Sequence, residues 1–358
     1  MAKRLLATTL ILLVFGLAVL SSAGIVEGQK KFGSPYYYLN HQLLYGILPG
    51  LVLMFLFYKI DYKLWKKISL PILVGALLLM VLVFMPRFGY GLKGATRWLN
   101  LGGVSFQPSE VLKLALVIYF AAWFGNRDER IKNWTYGMAP FFVVLGFAGG
   151  LLLIQPDIGT LVIVTAITIS MYFFGGASLK HLGIIIILLI IAMAAAVYME
   201  PYRFNRIKAF LDPSVDPRGI SYQINQSLIS IGSGGLFGVG FGHSTQKFGF
   251  LPEVVNDSIF AVIAEELGFV GTVVTIGLFL ALSLAMVSIV KNTSDKFGKL
   301  LVMGMAVWII GQAFVNIAAV SGLAPLTGIT LPFISYGGTA MMVLLAGMGI
   351  VLNVARRA

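Results

Sequence analysis

The segment LPEVVNDSIFAVIAEELG, Leu251 to Gly268, carries four carboxylates, Glu253, Asp257, Glu265 and Glu266, at the edge of an apolar run or inside it. Glu253 and Asp257 stand four residues apart, just before the apolar stretch SIFAVIA. Two carboxylates at an apolar rim raise each other's pKa through desolvation and mutual repulsion. A carboxyl group tuned in this way is a candidate general base. The same oxygen donors suit a hard divalent cation, Mg or Mn. The competing structural reading of Asp257 is a helix N-cap that accepts backbone N–H bonds. Glu265 and Glu266, two turns further in, read as a buried pair hydrogen-bonded to neighbouring helices, for example through Gln312 or Asn316.

Other polar groups also ask for a role. Glu110 and Lys113, in QPSEVLKLAL, are spaced i,i+3 and fall on one helix face. They read either as a neutralised pair that pins the helix or as direct contacts to a substrate. Arg203, Arg206 and Lys247 lie in a long polar stretch and are expected at the outer surface, against lipid head groups or a substrate phosphate. The glycine-rich GSGGLFGVGFG, Gly232 to Gly242, lacks the Gly-Lys-Ser/Thr of a P-loop. Its glycines allow close backbone approach, and its N–H groups are weak candidates for facing an anionic head group. In LPFISYGGTA, Leu331 to Ala340, Ser335 sits in an expected re-entrant turn lining a cavity.

The elements that position these groups follow from composition. The chain has 358 residues, of which 58% are hydrophobic and only 11% charged. Soluble domains average about 25% charged residues, so an integral membrane protein is expected. The absence of cysteine excludes disulfides and thiolate metal sites, and three scattered histidines show no ligand spacing. The net charge of +12 falls in short loops between apolar runs, which fits membrane topology better than nucleic acid.

A crossing helix needs roughly 20 apolar residues. Runs of about that length fit at 5–24, 39–58, 68–85, 109–125, 138–154, 158–174, 182–198, 258–290, 299–319 and 338–355. The expected fold is therefore all-α, one polytopic domain over 1–358 with ten transmembrane helices and a tight turn at Gln155-Pro156-Asp157. The first run reads as a retained helix rather than a signal peptide. Loops at 86–108 and 199–256 are too long for connectors, and the second should fold as short amphipathic helices between spans seven and eight. With the N-terminus inside, fifteen basic residues fall in inner loops and tails and ten outside, five of these in the long loop. Both termini are then cytoplasmic and the acidic and basic site faces outward. Such a site suits an amphiphilic, anionic, lipid-linked substrate.

Taken together, KGATRWLNLGGVSFQPSEVLKLAL, QPDIGT, FLDPSVDPRGISYQINQSLISIGSGGLFGVGFG, QKFGFLPEVVNDSIFAVIAEELGFVG and PLTGITLPFISYGG resemble the SEDS family (shape, elongation, division and sporulation). The matches keep their order from span three to span ten. KGATRWLNLGG, SYQINQSLISIG and the QKFGFLPE join are closer to the division (FtsW-type) branch than to the elongation (RodA-type) branch. The resemblance implies ten spans in the bacterial cytoplasmic membrane and a peptidoglycan glycosyltransferase that polymerises lipid II on the outer face. It implies a class B penicillin-binding protein transpeptidase as partner, with other division or elongation proteins. It places the family's essential aspartate on Asp257, the glutamate of LPE on Glu253, and the QPSExxK pair on Glu110 and Lys113. The commoner form has Thr-Asp-Phe where this chain has Asn256-Asp257-Ser258. The expected chemistry is inverting transfer with Asp257 as base. The departing diphosphate would meet Lys113, Arg203, Arg206, Lys247 or a cation on Asp257 and Glu253. Two rival readings are a flippase for the lipid-linked precursor, its path lined by Glu265, Glu266, Gln312 and Asn316, and a scaffold without chemistry.

Overall fold

The computed structural model describes residues 1–92, 95–102, 104–125, 138–198 and 201–358. A helix occupies each of the ten apolar runs. They are α1 (Ala2–Phe32), α2 (Tyr37–Gln42) running through a π-helical turn (Leu43–Ile47) into α3 (Leu48–Lys59), α5 (Ser69–Leu82), α6 (Pro108–Phe124), α7 (Ala139–Ile154), α8 (Ile158–Phe174), α9 (Leu179–Tyr198), α12 (Ile259–Asn292), α13 (Lys296–Val320) and α14 (Gly338–Arg357). By length and composition, five are long and apolar enough to cross a membrane: Ala2–Phe32, Tyr37–Lys59, Ile259–Asn292, Lys296–Val320 and Gly338–Arg357. Shorter apolar helices occupy Ser69–Leu82, Phe141–Ile154, Ile158–Phe174 and Leu179–Ala192.

Helix ends obey local chemistry. Gly33, at φ 68°, closes α1 with its N–H on Gln29 O, a left-handed cap that glycine adopts without strain. Asp61 caps the short α4 (Tyr62–Lys67), Asp157 caps α8 and Asp295 caps α13, each through a carboxylate on a first-turn N–H. The tight turn expected at Gln155-Pro156-Asp157 is present between α7 and α8.

Helix α6 is the hub. Nearly every residue from Pro108 to Phe124 is buried, and its Phe120 and Phe124 meet Phe141 and Tyr172 of α7 and α8. Around it pack α5, α8, α13 and α14. Helix α14 lies along α3 at very short range. A Cβ on Gly349 would stand 2.4 Å from Met54 O, so no larger residue fits that crossing.

The fold is not wholly helical. Residues of the 86–108 loop form an antiparallel sheet, β1 (Gly89–Leu92), β2 (Ala95–Leu101) and β3 (Val104–Phe106), in that order, with Leu99 opposite Gly89 on one side and Phe106 on the other. This corrects the all-α expectation, and strands this short leave little alternating pattern to read. Arg97 of β2 donates to the carbonyls of Gln155 and Pro156 and lies 3.9 Å from Asp157, fastening the sheet to the α7–α8 turn. The second long loop carries the amphipathic helices α10 (Pro201–Leu211) and α11 (Tyr222–Ser233). Arg127, Arg130 and Lys132, expected in an inner loop, lie outside the described residues.

Candidate active site

Asp257 lies two residues before the start of α12, and the N-cap position belongs to Ser258. The N-cap reading of Asp257 is therefore set aside. Its side chain is buried. Oδ2 accepts from Gln223 Nε2 at 3.3 Å, and Oδ1 is buried without a hydrogen-bond partner. Burial first, and then the Glu253 charge, push its carboxyl up to about 6, against Arg206 and the N–H groups of Gln223 and its own backbone. A carboxylate ionised near neutrality with a free lone pair is what a general base requires.

Four segments converge on Asp257. Gln223, from the first turn of α11, also donates to Ser258 Oγ at 3.2 Å. Arg206 of α10 donates to Leu326 O at 2.8 Å. Gly328, at φ 72°, separates the two charges: a Cβ there would lie 3.8 Å from Arg206 Nη1 and 3.9 Å from Asp257 Oδ2. From α13, Asn316 Nδ2 donates to Asp257 O at 2.9 Å and to Ile329 O at 2.7 Å. Glu253, at φ 52°, accepts from Asn256 Nδ2 at 2.7 Å. It lies in the same turn as Asp257, as the four-residue spacing anticipates.

Ser335 is a brace. Its Oγ donates to Asn256 O at 2.6 Å and accepts from Leu331 N at 2.8 Å, while Tyr336 N donates to Val255 O at 2.8 Å. The turn beneath them rests on α1 at Gly16, where a Cβ would strike Phe333 O at 2.2 Å.

Glu110 and Lys113 form the pair their spacing implies, 2.8 Å apart and almost wholly buried. The Lys113 ammonium also donates to Gln312 Oε1 at 2.9 Å and lies 5.1 Å from the centre of the Trp308 ring. Glu110 Oε2 is buried without a partner.

Lys247 is not at the surface. It is 4% exposed and bonds Glu266 Oε1 at 2.8 Å, Ser22 Oγ at 2.9 Å and Gly242 O at 2.7 Å. This corrects its expected outward position: its charge is spent on a buried carboxylate. Gln312 and Asn316 are not the partners of the acidic pair either. Glu265 accepts from Ser230, Ser244, Thr245 and Gln246, and Glu266 from Ser22, Gly242, Ser244 and Lys247. The side chain of Arg203 lies outside the described residues.

The glycine-rich segment fills a break in α12. Gly268 is non-helical (φ 66°, ψ −162°), and the carbonyls of Glu265 and Glu266 accept instead from Val239 and Gly240. Among the residues around Asp257, sequence reasoning missed Gln223 and Gly328. SYQINQ and PLTGIT contain them, but nothing in either segment says that they meet. Asn316 was visible as a polar residue in an apolar run, with the wrong partner assigned.

The family model described as "Cell cycle protein" (FtsW, RodA, SpoVE) matches residues 3–358. A protein of Trichlorobacter lovleyi named "Probable peptidoglycan glycosyltransferase FtsW" is 42% identical over 356 residues, covering 98% of this chain and 92% of its own. "Stage V sporulation protein E" of Bacillus subtilis is 37% identical, covering 98% and 96%. Among solved structures, a chain from a peptidoglycan synthase complex coordinating polymerization and crosslinking superposes with TM-score 0.77 at 31% identity, over 96% and 97%. The rod shape determining protein RodA of Thermus thermophilus gives 0.72 at 28%, over 98% and 95%.

Proposed function

The chain belongs to the FtsW/RodA/SpoVE family of cell cycle proteins, and from that premise we propose that it is a peptidoglycan glycosyltransferase polymerising lipid II into glycan strands. In this reading 1–358 is one membrane domain of ten crossings with both termini cytoplasmic. The Asp257 site then opens on the outer face. FtsW-named relatives favour the division branch, and the synthase-complex neighbour supports a class B penicillin-binding protein as partner.

The observation that carries the chemistry is the buried, unpartnered Asp257 Oδ1 beside Arg206. The acceptor sugar hydroxyl attacks the anomeric carbon of the donor. The new C–O bond forms as the bond to the undecaprenyl diphosphate breaks, and the hydroxyl proton passes to Asp257. Gln223, on the other carboxylate oxygen, fixes which lone pair is presented. One attack from the face opposite the leaving group inverts the anomeric centre.

Arg206 supplies positive charge toward the diphosphate. Lys113, neutralised by Glu110 and enclosed by Trp308 and Gln312, acts by holding the bundle beneath the site. Two carboxylates in one turn also fit a divalent cation of the kind bound by one or two protein carboxylates plus substrate phosphates. Glu253 and Asp257 would hold it, and when bound it would offset charge on the leaving diphosphate. The translocation reading loses support, because the Glu265 and Glu266 carboxylates are taken up by donors from Ser22, Ser230, Gly242, Ser244, Thr245 and Lys247.

The test is polymerisation of lipid II by purified protein, with and without its transpeptidase, for wild type, Asp257→Ala and Asp257→Asn. Loss of a positioned base should cost about 10²–10⁴-fold in rate. Normal glycan from Asp257→Ala would sink the assignment, and a lipid-translocation assay would follow.

A further inference from the structure

One helical turn of α13 carries two buried amides, Gln312 and Asn316, on the same face. Each grips the same irregular segment between α13 and α14. Gln312 Nε2 donates to Thr330 O at 2.9 Å, and Asn316 Nδ2 donates to Ile329 O at 2.7 Å. Each also holds a residue of the polar site from another part of the chain, Gln312 by the Lys113 ammonium and Asn316 by the Asp257 main-chain carbonyl. Gln312 Oε1 accepts from Lys113 Nζ at 2.9 Å and from Trp308 Nε1 at 3.0 Å, and Asn316 Nδ2 donates to Asp257 O at 2.9 Å. Polar contacts therefore run from the Glu110–Lys113 ion pair through Gln312 to Thr330 O, and from Ile329 O through Asn316 to the main chain of Asp257, the two halves being joined by the covalent backbone between Ile329 and Thr330.

The polarity of these bonds leaves little freedom. Asn316 Nδ2 faces two carbonyl oxygens, so its amide cannot flip without opposing acceptor to acceptor. Gln312 is fixed in the same way by two donors on its oxygen and a carbonyl at its nitrogen. We propose that Gln312 and Asn316 are positioning residues for the transfer reaction, setting the place of Asp257 relative to the Glu110–Lys113 pair through the shared segment Ile329–Thr330. The proposal rests on the reading of Asp257 as the base. Neither amide need touch substrate: Asn316 acts through the Asp257 backbone and Gln312 through Lys113.

A positioning role separates turnover from binding, since misplacing a reactive group by about 1 Å can cost on the order of 100-fold in rate. Asn316→Leu removes both donors while keeping the branching and the number of side-chain heavy atoms, at the cost of a larger volume. In purified, monodisperse protein with a wild-type melting profile, kcat for lipid II polymerisation should fall about 10- to 100-fold with KM within about threefold. Gln312→Leu should fall less, because Lys113 keeps Glu110. Asn316→His, which retains a ring N–H donor, should recover part of the rate.

Asp257→Ala, run alongside, distinguishes the two levels of the argument. If it polymerises normally, the reading of Asp257 fails. If it is inactive while folded Asn316→Leu keeps wild-type kcat, the positioning proposal alone is overturned. A fall in folded yield or melting temperature at wild-type specific activity would also overturn it, by making Asn316 a packing residue only. If Asn316→Leu does not fold, the same comparison is read from Asn316→His and Gln312→Leu.

Discussion

At the scale of single residues, the proposed role of Asp257 as base sets reactivity against stability. Its carboxyl rises from 3.8 to about 6 in the fold, by burial first and the Glu253 charge second. A group whose folded value exceeds its unfolded value contributes stability that is fully present below the unfolded value and is lost as pH rises through the folded one. Asp257 therefore favours the fold below pH 3.8, and this contribution disappears between there and about pH 6. Above that range the ionised carboxylate, with Oδ1 unpartnered, destabilises the fold, which is what the proposed role as a general base requires of it. Asp257→Asn removes the charge at constant shape, so it should stabilise the protein by about 2–3 kcal/mol at pH 8. The gain should vanish near pH 4. Thermal unfolding of both proteins across that range measures it, and equal melting temperatures at pH 8 would contradict a strained carboxylate.

At the scale of elements, the break in α12 is the least obvious device in the molecule. Glycines of the loop Gly232–Gly242 interlock with it. A Cβ on Gly234 would meet Ala264 O at 1.9 Å, one on Gly238 would meet Glu266 O at 2.2 Å, and one on Gly268 would meet Gly238 N at 2.3 Å. These are backbone contacts, which cannot rotate away. Gly238→Ala should therefore destabilise by about 2–4 kcal/mol, through backbone clash and its positive φ together. Gly235→Ala, also at positive φ (54°) but with open space around its Cβ position, should lose only about 1 kcal/mol. Chemical or thermal unfolding of the two variants in detergent separates clash from conformation. This arrangement also shows where the sequence is legible. The apolar runs mark every long helix, because burial and lipid contact demand length and composition that no loop imitates. The pairing of Glu266 with Lys247, nineteen positions earlier, was invisible. It depends on the glycine loop folding back along α12, and close backbone approach leaves no periodic trace. Asp257 and Glu253 were legible because a rim carboxylate betrays itself by its neighbours, whereas Gln223 and Gly328 reach the site only through tertiary folding.

At the scale of the whole molecule, the same break divides α12 between two environments. Ile259 to Glu266 is buried against protein, whereas Phe269, Val273, Leu280 and Leu284 beyond Gly268 are 50–61% exposed. The part after Gly268 has about 24 residues, roughly 36 Å of helix, enough for about 30 Å of hydrocarbon. We infer from this that the membrane boundary lies near Gly268, which would set Asp257 beyond it, within the protein layer at head-group depth. A lipid-linked substrate would keep its chain in the bilayer while its diphosphate and sugar reach that level. Sidedness is testable with unusual economy, because the chain contains no cysteine. Arg218, exposed in the loop between α10 and α11, and Lys63, exposed on α4 at the other end, are suitable single positions. In intact cells a membrane-impermeant maleimide should label Arg218→Cys and should reach Lys63→Cys only after permeabilisation. The reverse pattern would place the Asp257 site on the cytoplasmic face, where a polymer of wall precursor has no route out, and the polymerase reading would fall with the topology.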